Sequence, residues 1–214
     1  MNENISMIAM KIRALYPKLT YDHKIHLDFS KEIHPHVIKM QQAEEFRIGY
    51  ACLKYAVAKI LEPKKIIEIG VRTGISAMAF LSAVPDAHFL GIDSELDSKA
   101  DNIDYLSVAK KAFEKENLDT SIVVADSADI YDLPFTPDLV HIDGNHSRGG
   151  AGHDTRLALS SGAPWILVDD GEEESVAAGV LDGLCSCSWD KHISIVRFDE
   201  CWGDSILIQS RSNK

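Results

Sequence analysis

The sequence predicts an α/β fold: a doubly wound, mostly parallel seven-stranded sheet with an antiparallel hairpin at its C-terminal end. Three observations predict it. Short strands rich in Ile, Val and Leu alternate with helical patterns from residue 64 onward, polar residues follow the strands, and two strand-like runs close the chain with no helix between them. With 214 residues, 45% of them apolar, the chain is long enough to bury a substantial core.

Residues 1–62 are predicted to form a helical addition that covers the site, and residues 63–214 the main domain. The strongest helical segment runs from Gln41 to Leu61, where apolar residues recur at helical spacing and Pro63 ends the pattern. Because this region carries no strand signal, we expect an addition to the main domain rather than an independent unit.

Five strands and four helical segments follow in alternation. The strands are predicted at 65–70, 87–93, 120–125, 138–143 and 164–169, and the helices at 75–84, 101–116, 149–161 and 173–184. The runs 192–198 and 205–209 are joined by a short turn containing Gly203, so we expect them to form an antiparallel pair at one edge of the sheet.

Composition and charge exclude several classes of protein. The net charge of −11 argues against a nonspecific binder of nucleic acid or anionic membranes. No run of about 18 apolar residues occurs, and the first residues lack the apolar core of a signal peptide, so we expect a cytoplasmic protein. The four cysteines lack the paired C-x-x-C spacing of a structural zinc site.

The first strand ends in a carboxylate and a glycine-bearing turn, with the spacing E-x-G-x-x-x-G from Glu68 to Gly74. Gly70 permits a sharp turn, and Gly74 brings the N-terminus of the next helix, with its free N–H groups, close to a ligand. This spacing differs from the G-x-G-x-x-G of dinucleotide dehydrogenases. A purely structural strand-to-helix turn is the alternative interpretation.

Polar residues also end the second and third strands. Asp93 ends the second strand, where an acid can accept hydrogen bonds from both hydroxyls of a ribose. Asp126 and Ser127 follow the third strand and offer polar groups to an adenine edge. Both positions also suit the simpler role of capping a helix.

Three carboxylates end the fourth and fifth strands, which we expect to be neighbours. Asp143 follows the fourth strand, and Asp169 and Asp170 follow the fifth, so the three should converge. Clustered carboxylates repel one another unless a cation neutralises them, and oxygen ligands suit Mg²⁺. His146 lies three residues beyond Asp143 as a candidate base. The alternative is that Asp169 and Asp170 only cap the following helix.

These motifs resemble those of class I S-adenosylmethionine-dependent methyltransferases, which have a Rossmann-like fold. Over residues 64–171 the chain is similar to the metal-dependent O-methyltransferases of the catechol and caffeoyl-coenzyme A type and of the macrolide-sugar type. The resemblance implies S-adenosylmethionine as cofactor and Mg²⁺ held by Asp143, Asp169 and Asp170. It places His146 where catechol-type enzymes carry a lysine base, so His146 or Asp143 would accept the proton of the acceptor hydroxyl.

The resemblance also implies a set of cofactor-binding residues. The methionine part would lie on Gly70 and the backbone from Val71 to Gly74, the ribose on Asp93, and the adenine on Asp126 or Ser127. The full predicted set is Glu68, Gly70, Val71, Arg72, Thr73, Gly74, Ser76, Asp93, Asp126 and Ser127. Many members of this family carry glycine where Arg72 stands, so the Arg72 side chain must point away from the cofactor or lie over its carboxylate.

The function expected from these residues is methyl transfer to a hydroxyl group of a small molecule, assisted by a divalent metal ion. The alternatives are a metal-independent methyltransferase, a nicotinamide-dependent oxidoreductase, and a cofactor-binding subunit without catalysis. We expect a small-molecule substrate and neither nucleic acid nor membrane as partner, and related enzymes are often homodimers. His23, His26, His34 and His36 are either solvated or line the substrate entrance.

Overall fold

The computed structural model describes residues 3–19, 47–102, 104–187, 191–199 and 204–212. Seven strands within these ranges form one sheet. They are β1 (Lys65–Ile69), β2 (His88–Asp93), β3 (Thr120–Val124), β4 (Leu139–Ile142), β5 (Trp165–Val168), β6 (Lys191–Phe198) and β7 (Ser205–Ser212).

Seven α-helices lie in the same ranges. They are α1 (Ile5–Leu15), α2 (Leu53–Leu61), α3 (Ile75–Ala83), α4 (Leu96–Asp101), α5 (Tyr105–Lys115), α6 (Arg148–Ser160) and α7 (Glu174–Cys187). Short 3₁₀ turns span Tyr16–Lys18 and Ser127–Asp129, and a π-helical turn spans Arg47–Cys52. None of these described helices is both long and apolar enough to cross a membrane.

The strand order is β3-β2-β1-β4-β5-β7-β6, with β1 to β5 parallel. This arrangement confirms the predicted doubly wound sheet and the antiparallel C-terminal pair. The pair is inserted in reverse order: β7 lies between β5 and β6 and runs antiparallel to both. The end of β5 therefore lies beside the beginning of β7.

The predicted helix over 101–116 is two helices, α4 and α5. Asn102 adopts a left-handed backbone conformation with φ of 55°, which interrupts the helix. The side chain of Asp104 then accepts a hydrogen bond of 2.9 Å from the backbone N–H of Ser107 and begins α5. Asn102 and Asp104 are both visible in the sequence, but the apolar spacing that predicted a single helix does not reveal the break between them.

Two apolar layers cover the sheet. Residues of α1, α2, α3 and α5 form the core on one face, and residues of α6 and α7 form the core on the other. The helix α2 is buried along most of its length, including the side chain of Lys54. The described part of residues 1–62 thus shares its core with the main domain.

Part of the predicted N-terminal helical region lies outside the described residues. This holds for residues 41–46 of the segment Gln41–Leu61, and for His23, His26, His34 and His36. The rest of that segment forms the π-helical turn and α2. Glu62, with a left-handed φ of 49°, ends α2 immediately before Pro63.

Candidate cofactor cavity and acidic cluster

A cavity of about 630 Å³ opens at the carboxyl ends of β1 to β4, where doubly wound sheets bind their ligands. Its volume lies within the range of small-molecule sites. The walls include all of the predicted cofactor residues except Glu68 and Gly74, namely Gly70, Val71, Arg72, Thr73, Ser76, Asp93, Asp126 and Ser127. They also include Tyr50, Asp143, His146 and Asp170. Eight of the ten predicted cofactor residues therefore line this one cavity.

Gly70 allows the loops after β1 and β4 to approach each other closely. Its φ is 90°, and a Cβ atom placed there would lie 2.0 Å from the carbonyl oxygen of Asp143. The backbone N–H of Gly70 donates to the carbonyl of Ile92 at 2.8 Å. Only glycine fits this position, because any side chain would displace Asp143.

Asp93 organises the turn that follows β1. Its Oδ2 accepts hydrogen bonds from the backbone N–H groups of Val71 and Arg72 at 2.9 and 2.8 Å, and Oδ1 accepts one from Glu95 at 2.7 Å. A carboxylate has about four acceptor positions, so room remains for a ribose hydroxyl. The structure therefore gives Asp93 a structural role in addition to the predicted ribose contact.

The Arg72 side chain points toward α4 and α5. Its Nε lies 3.2 Å from Oδ2 of Asp97, and its guanidinium lies over the ring of Tyr105, 5.1 Å from the centroid. The Arg72 backbone has a φ of 47°, a conformation that glycine adopts more readily. This explains how arginine is accommodated where many of the resembled enzymes have glycine.

Glu68 lies beneath the cavity, fully buried. Its Oε1 accepts a hydrogen bond of 2.5 Å from the Ser76 hydroxyl and lies 2.7 Å from Nδ1 of His141. Burial raises the pKa of Glu68, and His141 and Ser76 partly offset the increase. The Glu68 carboxylate thus supports the wall from behind and does not face the space inside. Gly74 likewise lies behind the wall, against Ala109 and Phe113.

Asp126 and Ser127 line the far end of the cavity, beyond β3. Oδ1 of Asp126 accepts a hydrogen bond from the backbone N–H of Ala128 at 3.0 Å and begins the 3₁₀ turn. Behind Ser127 lies Asp154 of α6, which is fully buried. Burial raises the pKa of Asp154 to about 6, and Ser127 and His153 reduce this increase. This end of the cavity therefore has a buried carboxyl group behind it.

An acidic cluster made of Asp143, His146 and Asp170 lies at the opposite end. His146 Nε2 is 3.3 Å from Asp170 Oδ2 and 3.6 Å from Asp143 Oδ1, and Nδ1 is 3.3 Å from Glu173 Oε1. One ligand atom from each member of the acidic cluster lies within 4.8 Å of the others. This arrangement can hold a cation, because two carboxylates and an imidazole converge on one partly exposed point.

The electrostatics of the acidic cluster reflect crowded negative charge. Burial and repulsion by Asp143 and Asp169 raise the pKa of Asp170 to about 6. The nearby carboxylates of Asp143 and Asp170 raise the pKa of His146 to about 9, against the effect of its partial burial. In the absence of another cation, His146 therefore carries the positive charge of the cluster at neutral pH.

Asp169 lies apart from Asp170, in a buried network. Its Oδ2 is 2.6 Å from Lys54 Nζ and 3.1 Å from His141 Nε2, and its Oδ1 accepts a hydrogen bond of 2.7 Å from the Ser205 hydroxyl. Burial opposes the charge, but Lys54 and His141 lower the pKa of Asp169 below its usual range. Against its own desolvation, Asp169 and Glu68 raise the pKa of His141 to about 10.

Three residues of the site were not predicted from the sequence: Tyr50, Lys54 and His141. The Tyr50 hydroxyl donates a hydrogen bond of 2.7 Å to Asp143 Oδ2, and Lys54 Nζ lies 3.6 Å from the centroid of the Tyr50 ring. Two of these residues stand out in the sequence. Lys54 interrupts an apolar helical face, and His141 interrupts an apolar strand. A polar side chain in a buried position needs a polar partner, and groups of such paired side chains are common at functional sites.

Comparison with known proteins agrees with this geometry. Residues 67–170 match a family model described as a methyltransferase domain. Among curated proteins, none matches the chain significantly.

Several solved structures share the fold. A methyltransferase from Podospora anserina, bound to S-adenosylhomocysteine, is 17% identical, with 99% of each chain covered and a TM-score of 0.63. The O-methyltransferase TomG from Streptomyces achromogenes, involved in tomaymycin synthesis and in complex with S-adenosylmethionine, is 15% identical, with 98% of this chain and 99% of that chain covered and a TM-score of 0.58. An O-methyltransferase from Bacillus cereus is 11% identical, with 99% and 93% covered and a TM-score of 0.55.

The domain match and the shared fold confirm the predicted resemblance to class I S-adenosylmethionine-dependent methyltransferases. At these identities the solved structures establish the fold alone. The chemical identity of the methyl acceptor must be argued from the residues of the site.

Proposed function

We propose that this chain, which carries a methyltransferase domain over residues 67–170, transfers the methyl group of S-adenosylmethionine to a hydroxyl group of a small molecule, with the help of a divalent cation. One observation carries the proposal. The cavity at the ends of β1 to β4 and the acidic cluster share a wall, so cofactor and acceptor would meet at Asp143.

The cofactor end of the cavity suits S-adenosylmethionine. Gly70 and the backbone from Val71 to Thr73 would hold the methionine part, Asp93 the ribose, and Asp126 or Ser127 the adenine. All of these residues line one continuous space. The three solved structures named above are bound to S-adenosylmethionine or S-adenosylhomocysteine, which supports this choice of cofactor.

The donor set of the acidic cluster fits a divalent cation such as Mg²⁺. Asp143 and Asp170 would supply oxygen ligands from partly exposed positions, and burial together with repulsion by neighbouring carboxylates raises the pKa of Asp170. Held by Asp143 and Asp170, such a cation would supply Lewis-acid chemistry, which lowers the pKa of an acceptor hydroxyl group. Oxygen is the acceptor that such a cation would favour.

The chain's own residues would position the acceptor and receive its proton. We assign proton acceptance to His146 or Asp143, whose Nε2 and Oδ1 lie 3.6 Å apart at the wall of the cavity. The imidazole of His146 could accept a proton once a bound divalent cation replaces its positive charge. The Tyr50 hydroxyl holds Asp143 in place from the N-terminal side. Much of the rate would come from alignment of the acceptor oxygen with the methyl group.

We also propose that residues 1–62 cover this site as a helical addition to the main domain. Tyr50 lines the cavity, and Lys54 of α2 reaches Asp169 at the end of β5. The substrate-selective surface would therefore include the N-terminal segment, and the protein would work on substrates small enough to enter beneath it.

The first experiment is calorimetry with S-adenosylmethionine on the wild type, Asp93→Ala and Asp97→Ala. We expect micromolar binding that weakens at least tenfold in Asp93→Ala. Asp97 lies at the same rim with its carboxylate largely exposed, so Asp97→Ala should change the affinity by less than about threefold. A folded wild type that binds no S-adenosylmethionine would overturn the proposal and direct the search to nicotinamide cofactors.

A second experiment addresses the cation and the acceptor. Formation of S-adenosylhomocysteine is followed with a panel of small hydroxylated molecules in the presence of Mg²⁺, and again after chelation. We expect turnover to be lost on chelation and restored by Mg²⁺. Turnover that survives chelation would favour the metal-independent alternative, for which Lys54 beside Asp169 is the supporting observation.

A further inference from the structure

We infer that the ion pair between Lys54 and Asp169 keeps a divalent metal ion away from the Asp169 carboxylate. The oxygen ligands of the metal ion are then Asp143 and Asp170, beside His146, and Asp169 is not a ligand. This inference rests on the proposed function, because it assigns the cation to particular residues of that site.

Both oxygens of Asp169 already have partners from the chain. Lys54 Nζ lies 2.6 Å from Oδ2, and the Ser205 hydroxyl donates to Oδ1 at 2.7 Å. His141 Nε2 lies 3.1 Å from Oδ2 as well. A metal ion binding at either oxygen would have to displace an ammonium group or a hydroxyl donor, because Mg²⁺ needs its ligands at about 2.0–2.1 Å.

The Lys54 ammonium is buried, with an aromatic ring against it. The side chain is 0% exposed, and the Tyr50 ring lies 3.6 Å from Nζ. A displaced ammonium would remain buried beside a bound divalent cation, and two like charges in that position repel strongly. Lysine and metal at Asp169 are therefore mutually exclusive.

The acidic cluster differs from Asp169 in access and charge. The side chains of Asp143, His146 and Asp170 are 21%, 38% and 28% exposed, and all three line the cavity. One side-chain N or O atom from each lies within 4.8 Å of the others, and the same holds for His141, Asp143 and Asp169, but His141 and Asp169 are buried. A cation entering from the cavity reaches this cluster without disturbing the buried network.

Asp169 and Asp170 are adjacent in the chain, but only Asp170 is assigned as a metal ligand, so the same substitution at each gives a matched test. Mn²⁺ alone is titrated into the wild type, Asp169→Asn and Asp170→Asn, and free Mn²⁺ is measured by electron paramagnetic resonance. We expect Asp170→Asn to weaken Mn²⁺ binding at least tenfold and Asp169→Asn to change it by less than about threefold. An equal loss in both variants would overturn the inference, as would a folded wild type that binds no Mn²⁺ at millimolar concentration.

Removal of the lysine charge gives an independent readout. Lys54→Met removes the ammonium group from Asp169 and leaves only His141 beside its Oδ2, so we expect Mn²⁺ binding to tighten at least tenfold, and the gain to disappear in Lys54→Met/Asp169→Asn. Where Lys54→Met fails to fold, Lys54→Gln, which keeps a hydrogen-bond donor beside Asp169, takes its place. Unchanged Mn²⁺ affinity in the folded variant would overturn the role of Lys54.

S-adenosylmethionine binding is measured on the same samples. Intact cofactor binding with an unexpected Mn²⁺ pattern refutes only the assignment of the metal ligands. Loss of cofactor binding in the wild type refutes the proposed function itself. The two failures are thus distinguishable.

Discussion

The Tyr50 hydroxyl donates a hydrogen bond of 2.7 Å to Oδ2 of Asp143, joining residues 93 positions apart in the chain. This bond links the π-helical turn before α2 to the end of β4. The ring of Tyr50 also lies against the buried Lys54 ammonium. Residues 47–61 are therefore joined to the acidic cluster by a polar contact and to the sheet by apolar packing.

Tyr50→Phe should lower the free energy of unfolding by about 1–2 kcal/mol, because it removes a hydrogen bond to a carboxylate and keeps the ring. Tyr50→Leu should cost more, because the contact between Lys54 and the ring is lost as well. Urea denaturation measures both. Tyr131→Phe is the control, since Tyr131 is 83% exposed and the change should be near zero. A Tyr50→Phe variant no less stable than Tyr131→Phe would contradict the prediction.

Gly70→Ala should destabilise the protein by at least about 3 kcal/mol. The added Cβ would lie 2.0 Å from a backbone carbonyl, and the φ of 90° is itself unfavourable for alanine. Gly149→Ala is a matched control in the first turn of α6, where a Cβ meets nothing within 4 Å. The control should be neutral or stabilise slightly, since alanine favours the helix. Thermal unfolding of the two variants side by side tests the difference.

Asp154→Asn should stabilise the protein in a pH-dependent manner. A carboxyl group with a raised pKa supports the fold only while protonated: the contribution is complete below the unfolded pKa of about 3.9 and is lost as the pH rises through about 6. Asparagine stays neutral throughout. Its advantage over aspartate should therefore grow by about 2 kcal/mol between pH 4.5 and pH 8.

Denaturation of wild type and Asp154→Asn at these two pH values tests the prediction. Each variant serves as its own reference, because the packing of the amide is the same at both values. A difference in stability that does not change with pH would show that Asp154 is ionised in the fold without cost.

Ser205→Ala should lower the free energy of unfolding by about 1–3 kcal/mol, since Oδ1 of the buried Asp169 loses a hydrogen-bond donor. Ser121→Ala, at an exposed position of β3, should stay within about 0.5 kcal/mol of the wild type. Chemical denaturation compares the two. Equal stabilities would mean that Asp169 does not depend on β7.

The fold and half of the residues that line the cavity could be predicted because their signals are local. Strands and helices alternate in the sequence, and parallel strands necessarily bring their carboxyl ends to one edge of the sheet. Gly70, Asp93 and Asp126 lie at such ends, so their position in the sequence determined their position in space. The same reasoning placed Asp143 and Asp170 together.

The buried network could not be predicted, because it depends on contacts between distant segments. Lys54 meets Asp169 only through the packing of α2 on the sheet, and Ser205 reaches it only because β7 lies beside β5. Adjacent residues at a strand end also separate: Asp170 has a left-handed φ of 52°, and its carboxylate turns toward His146 while Asp169 points into the core. The sequence pattern D-D does not reveal this division.

The insertion of β7 between β5 and β6 has a consequence for biosynthesis. A ribosome makes β5 and its terminal Asp169 well before Ser205, so the carboxylate emerges without its hydroxyl donor, and the edge of β5 stays open until the last strand arrives. The sheet of the nascent chain therefore stays incomplete until the residues of β7, Ser205–Ser212, have been made. Translation that stops short of Ser205 leaves this half of the site unformed, however complete the cofactor half has become.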